Sequence, residues 1–395
     1  MNRQGRDRSR GVTWFVVLSA LAAFFSTGVE PSGCFAQPGR GKELAQFRIT
    51  RYGDQIILPV KFNDREYWFL LDTGSSFTIF DASFKYDLGE LQGKASVKTP
   101  RNVVNAEVYT APEAYLGALN LKSCAGVICL DVEQAGYVEG KKVSGLIGMN
   151  FLRKYMVHID FDVDTISFIE SAQGEQLRWG QCCDISYDAG GLAHIEGTVF
   201  LDIPVKFMID TGHSSTGSLE ERVFQQILSQ KKARTIEASF ITMGGVIRER
   251  EARINDLSIG SLHYRDLIFS ELDSSILGLE FLARHSVIFD FPNRRLYLEE
   301  GRDYRRRDER DMSGLRLAMV YDKTVVHSVE VGSPAEKAGL KAGDVIIKVG
   351  PKPASQYDIW VLRQDLMVMD GSKVSVTFER AGQRKEAQLA LVQKL

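Results

Sequence analysis

Asp72-Thr73-Gly74 and Asp210-Thr211-Gly212 constrain this 395-residue chain more than any other feature, because each copy closes an apolar run. The first follows Tyr67-Trp68-Phe69-Leu70-Leu71, the second Val205-Lys206-Phe207-Met208-Ile209. A strand that stops at an acid followed by Thr-Gly sets a carboxylate on a tight turn, where glycine lets backbone N–H groups come close. A single copy reads as a strand-ending Asp that caps a turn. Here each copy has a matching second signature. Gly145-Leu146-Ile147-Gly148, Phe151-Leu152 and His158-Ile159-Asp160-Phe161 follow the first; Ser275-Ile276-Leu277-Gly278, Phe281-Leu282 and Ile288-Phe289-Asp290-Phe291 follow the second. Asp72 precedes Gly148 by 76 residues and Asp210 precedes Gly278 by 68, so order and spacing are kept, as in an internal duplication. Two such turns brought face to face make a carboxylate pair. The likeness of Leu58-Pro59-Val60-Lys61-Phe62 to Ile203-Pro204-Val205-Lys206-Phe207 is coincidence, since the two lie at different distances from their aspartates.

Each unit resembles half of a retropepsin-type aspartyl protease, and two fused units resemble the single-chain, pepsin-like arrangement, over roughly residues 46 to 300. The resemblance implies a mainly β fold of two β-barrel lobes forming a pseudo-dimer, with Asp72 and Asp210 as the catalytic pair. By the same resemblance Thr73 and Thr211 hydrogen-bond across the pseudo-dimer axis, and Gly74 and Gly212 aim N–H groups at the carboxylates. Ser75 matches a hydroxyl that bonds the outer carboxylate oxygen. His213 stands at that position in the second unit, a departure from the family pattern, and an imidazole there would alter the titration of the pair if it became cationic in acid. Two carboxylates at such a distance share one proton, and their pKa values belong to the pair. Met243, Gly244 and Gly245 are flap candidates, with glycines for a hairpin tip. The corresponding stretch of the first unit, Thr99-Pro100-Arg101-Asn102, lacks glycine, and Tyr109 is a further flap candidate.

Composition is that of an ordinary globular protein: 44% hydrophobic, 25% charged, net charge −2. This balance gives no reason to expect a nucleic-acid or anionic-membrane partner. The six histidines are scattered, and neither a Gly-x-Ser-x-Gly elbow, a phosphate loop nor a dinucleotide fingerprint occurs. No metal and no cofactor are expected. Arg3, Arg6, Arg8 and Arg10 precede the apolar stretch Val12–Phe25 and then Cys34-Phe35-Ala36. This pattern reads as a signal peptide over 1–36, hence a periplasmic or secreted protein, with an uncleaved membrane anchor as the alternative. Four further cysteines remain, Cys124, Cys129, Cys182 and Cys183. An even count in an exported chain hints at disulfides, with Cys182 and Cys183 directed to the 124/129 segment because adjacent cysteines rarely bridge each other; vicinal cysteines fit a tetrahedral zinc cage poorly, and structural or free thiols are the other reading.

Lobe-like units are expected over 46–170 and 185–300, joined by a connector at 174–183. The clearest helix pattern runs from Leu219 to Lys232, with Val223, Ile227 and Leu228 on one face. Residues 301–312 form a charged run that reads as an exposed linker. Residues 313–395 resemble a PDZ domain: Gly332-Ser333-Pro334-Ala335 caps a short helix, Gly343-Asp344 leads into a strand, and Tyr357–Met369 would wall a groove. Gly314, Leu315, Arg316 and Leu317 match that family's carboxylate-binding loop, with Arg316 where glycine is usual. The resemblance implies a peptide C-terminus as a partner in that groove. Together these readings describe an exported aspartic endopeptidase acting on polypeptides, monomeric in its protease part, with a PDZ module that recruits or gates substrate. An inactive peptide-binding scaffold and a homodimer pairing each unit with its own copy are the rival readings.

Overall fold

The computed structural model describes residues 41–49, 55–98, 103–132, 137–138, 141–172, 178–242, 245–357, 359–367 and 371–392. The N-terminal segment with its export signature, the 99–102 stretch, Met243 and Gly244 lie outside them. The fold is mainly β. Among the described residues no helix is long and apolar enough to cross a membrane.

The two units repeat one topology. In the first, strands Ile57–Phe62 and Arg65–Leu71 form a hairpin ending at Asp72; in the second, Ala193–Val199 and Ile203–Ile209 form the hairpin ending at Asp210. Leu58–Phe62 and Ile203–Phe207 thus sit on opposite arms of their hairpins, as their unequal spacing requires. A later strand then runs parallel to the aspartate-bearing one: Ile147 lies against Leu71 and Leu277 against Ile209. Phe69 and Leu71 point into the main core while Leu70 packs with Ile57 and Val143 on the other face, so both faces are covered and the run Phe69-Leu70-Leu71 is buried. Each unit next makes one helical turn, Met149–Leu152 or Leu279–Leu282, and a closing hairpin. These hairpins are Met156–Asp160 with Thr165–Ile169 and His285–Asp290 with Arg295–Glu300.

The closing hairpins meet. Strands Met156–Asp160 and His285–Asp290 pair antiparallel, with His158 opposite Ile288, at the centre of a six-stranded sheet edged by Glu43–Arg48 and Gln181–Asp184. This sheet ties the units together, and one continuous apolar core runs through both, including Leu71, Ile147 and Phe151 with Ile209, Leu277 and Phe281. The expected helix is present as Glu221–Ser229, burying Val223, Phe224 and Ile227.

Each unit also carries a long hairpin. Leu91–Lys98 pairs with Val103–Thr110 in the first, and Arg234–Thr242 pairs with Gly245–Ile254 in the second, down to Thr242 opposite Gly245. The C-terminal module has a separate core that includes Leu315, Leu317, Val326, Val329, Ile346, Leu362, Val376 and Leu389. Its helix Pro334–Lys337 starts at Ser333, whose hydroxyl accepts the Glu336 N–H at 3.2 Å, and Ile359–Gln364 forms its second helix.

Two expectations need correction here. The charged run is not wholly exposed: Asp308 is 5% exposed and pairs with the fully buried Arg284. Alternate residues of an extended segment point opposite ways, so Arg305, Arg307 and Glu309 face solvent while Asp308 turns inward. The four described cysteines are free thiols, so the expected disulfides do not form. Cys124 and Cys129 belong to the first unit's own elements, whereas Cys182 and Cys183 lie opposite Tyr297 and Leu296 on the edge of the six-stranded sheet. A bridge needs Cα atoms within about 7 Å, whereas Cys129 and the Cys182–Cys183 strand belong to different sheets and Cys124 to the short helical turn Leu121–Cys124.

Candidate active site

Both aspartates sit where a strand gives way to a turn, and each backbone is anchored by its parallel neighbour. The Asp72 N–H donates to the Ile147 carbonyl at 3.0 Å, and the Asp210 N–H donates to the Leu277 carbonyl at 3.1 Å. The turns then interlock. Thr73 N–H donates to Thr211 Oγ1 (3.1 Å) and Thr211 N–H to Thr73 Oγ1 (3.0 Å). Each hydroxyl in turn donates across the axis, Thr73 to the Ile209 carbonyl and Thr211 to the Leu71 carbonyl, both at 2.8 Å. Both threonines are buried, so every one of these polar groups is satisfied by the other unit.

The glycines bring the carboxylates together. Gly74 N–H donates to Asp72 Oδ1 at 2.9 Å, and Gly212 N–H donates to Asp210 Oδ1 at 2.8 Å, joined there by His213 N–H at 3.2 Å. A Cβ on Gly74 would lie 2.5 Å from Asp210 Cγ, and one on Gly212 would lie 2.8 Å from Asp72 Oδ1. Each acid therefore lies over the opposite turn, and only hydrogen fits there. Burial first, and then the charge of Asp210, push the Asp72 carboxyl from 3.8 up to about 8. That shift expresses a pair sharing a proton.

The neighbours of the aspartates depart from expectation. The Ser75 hydroxyl donates to the Phe77 carbonyl at 2.8 Å, closing its own turn instead of meeting the outer oxygen of Asp72. His213 Nε2 lies 2.8 Å from Ser215 Oγ, and burial lowers the imidazole pKa while Asp210 opposes the shift. The neutral imidazole is favoured, so a cationic His213 belongs only to stronger acid. Tyr109 is not at a flap tip. It lies at the base of its hairpin, 7% exposed within the core, with its hydroxyl donating to Glu107 at 2.8 Å. Gly245 does stand beside the turn of the second hairpin, with φ +120°, and nothing crowds it.

Sequence reasoning passed over Thr78 and Thr216, each six residues beyond its aspartate. Gly148 N–H donates to Thr78 Oγ1 at 3.2 Å, while Gly278 N–H donates to the Thr216 carbonyl at 2.9 Å. Two residues past each glycine stands their side-chain partner. Asn150 Oδ1 accepts from Thr78 Oγ1 at 2.9 Å, and Glu280 Oε2 accepts from Thr216 Oγ1 at 3.4 Å. The equal offsets were the signal. Burial, then the charge of Asp308, raise Glu280 to about 7.

Residues 58–151 match the family model described as "Aspartyl protease", residues 197–284 match "gag-polyprotein putative aspartyl protease", and residues 313–391 match "PDZ domain". The chain thus carries two segments similar to aspartyl proteases and one similar to a PDZ domain. The aspartic proteinase from Irpex lacteus is a similar solved structure, with a TM-score of 0.44 and 14% identity, covering 65% of this chain and 97% of that one. A Neisseria meningitidis protein named "Putative zinc metalloprotease" is 44% identical over 68 residues, 17% of this chain and 14% of that protein's length.

In the PDZ domain the loop residues Gly314, Leu315 and Arg316 line a cavity of about 210 Å³ shared with Thr216 and Glu280 of the second unit and Asp308 of the charged segment. The amides at the mouth of this loop are already engaged. Ser313 N–H and Gly314 N–H donate to Asp311 Oδ1 at 2.8 and 3.0 Å, and Leu315 N–H donates to Ser313 Oγ at 3.0 Å. Leu317 follows in the same strand, and its carbonyl accepts from Arg363 Nη2 of the second helix at 2.6 Å. Arg316 pairs with Glu249 of the second-lobe hairpin. Burial pushes the Asp311 carboxyl up to about 6 in spite of these donors.

Proposed function

We propose that this chain is an aspartic endopeptidase whose catalytic pair is Asp72 and Asp210. The observation that carries this reading is the reciprocal threonine lock, which sets two glycine-backed carboxylates over each other's turns. In this chemistry the ionised aspartate accepts a proton from water as the water oxygen attacks the scissile carbonyl carbon. The protonated aspartate donates to the carbonyl oxygen. The tetrahedral diol then collapses: the C–N bond breaks as the protonated aspartate gives its proton to the amine nitrogen, a diol hydroxyl gives its proton to the ionised aspartate as the carbonyl re-forms, and the pair ends singly protonated. A raised Asp72 pKa supports the required sharing of one proton.

Polypeptides are the proposed substrates, and the N-terminal 1–36 segment is proposed to direct export. Cleavage of a mixed peptide library by the purified protein across pH 3 to 8 tests the central reading. Turnover lost in both Asp72→Asn and Asp210→Asn, and blocked by a statine-type mimic, supports it. Folded protein that binds peptide without turnover at any pH would replace it with the scaffold reading. N-terminal sequencing of the protein recovered from the periplasm or medium tests export: a mature start at Gln37 supports it, and an intact Met1 overturns cleavage.

A further inference from the structure

The second-lobe hairpin does not end free. Its strand Arg234–Thr242 pairs with the PDZ strand Lys323–Glu330, placing Phe240, Ile241 and Thr242 opposite Glu330, Val329 and Ser328. The Val331 N–H extends the pairing to the Ser239 carbonyl at 2.7 Å. This joint lies at the end of the hairpin that carries its turn, where Thr242 faces Gly245. The same PDZ strand pairs along its other edge with Leu315–Val320, so second lobe, hairpin and PDZ domain form one continuous sheet.

Charged side chains hold the joint from the adjacent arm. Arg316 Nη1 donates to Glu249 Oε1 at 2.8 Å, and its Nη2 contacts the other oxygen of that carboxylate, a forked guanidinium–carboxylate contact. Arg310 donates to Glu251 Oε2 at 2.7 Å and to Glu330 Oε2 at 3.1 Å, linking hairpin and PDZ strand through one guanidinium. Glu251, Arg310 and Glu330 are all largely buried here. The displacement of glycine by arginine at position 316 thus has a structural use outside the loop to which it belongs.

We propose that the PDZ domain positions the second-lobe hairpin by main-chain pairing, with Arg316 and Arg310 as positioning residues that hold its arm by ion pairs. Its consequence for turnover rests on the reading of Asp72 and Asp210 as a peptidase site. A rotation of the PDZ domain carries strand Arg234–Thr242 with it, because that strand cannot move independently without opening the joint. The edge of Lys323–Glu330 is thus filled by the chain's own hairpin, and through that hairpin the PDZ domain gates polypeptide turnover at the aspartates.

The test is a charge exchange in the full protein: Arg316→Glu, Glu249→Arg, and the two together. Backbone hydrogen exchange at residues 238–242 reads the joint without any need for activity, and peptide turnover reads its consequence. Each single exchange places like charges against each other and is expected to speed exchange at 238–242 by about tenfold, with a raised KM. The double variant restores both. Exchange unchanged in the single variants, or a double variant no better than the singles, would overturn the proposal. Restored hydrogen exchange in a protein without turnover at any pH would keep the joint, locate the fault in the peptidase reading and reject the gating role.

Discussion

The Thr73 and Thr211 amides each donate to the other's hydroxyl, at 3.1 and 3.0 Å, so the two lobes share one buried hydrogen-bond ring beneath the carboxylates. Removing either hydroxyl leaves an amide and a carbonyl of the opposite lobe unpaired, at about 1–3 kcal/mol per stranded group. Thr211→Ala is expected to lower stability by that order in urea unfolding and to lower kcat. Thr211→Ser keeps the oxygen and should recover most of both. Equal losses in the two variants would show that the methyl packing, not the ring, matters.

Gly74→Ala probes the approach of the acids directly. Its Cβ would meet Asp210 Cγ at 2.5 Å, a distance no folded structure accommodates without movement of the carboxylate. A shift of about 1 Å at a reacting group costs roughly 100-fold in rate. The expected outcome is a loss of kcat/KM of at least that order in a folded protein. Retained activity would mean that the pair has slack that these distances do not show.

The Asp72 pKa gives a signed pH dependence. The folded pair holds one proton up to about 8, whereas an unfolded aspartate loses it near 3.8. Between these values the folded state binds more protons, so its stability falls as pH rises through the window. Asp72→Asn removes this term. Urea unfolding of both proteins from pH 4 to 8 should show wild type losing ground to the variant with rising pH. Parallel profiles would contradict the shift. The same raised value places the alkaline limb of peptide turnover near neutral pH, which a pH–rate profile measures.

Asp308 sits in the charged segment yet accepts from Thr216 Oγ1 and Ile268 N–H, both at 2.7 Å, while pairing with buried Arg284. Arg284→Ala would leave that carboxylate buried without its guanidinium, a change that typically costs 3–5 kcal/mol. Chemical denaturation is expected to show about that loss. Arg284→Ala with Asp308→Asn together should cost less than Arg284→Ala alone, and no recovery would show that the pair is not the source.

The doubled motif determined the fold class and the partnership of the two aspartates, because strand, acid, Thr and Gly specify a turn within a few residues, and repetition specifies its mate. The Pro334 helix start and the Glu221–Ser229 helix were legible for the same local reason. What tertiary structure decided depends on which strands become neighbours. Ser75 turned to Phe77, Tyr109 entered the core, Asp308 turned inward, the thiols fell into separate elements, and the second-lobe hairpin joined the PDZ sheet. None of these is encoded in spacing: the Ser75 bond to Phe77 is local but set by the shape of the locked turn, whereas Asp308 and the second-lobe hairpin find their partners tens of residues away, where local periodicity carries no information.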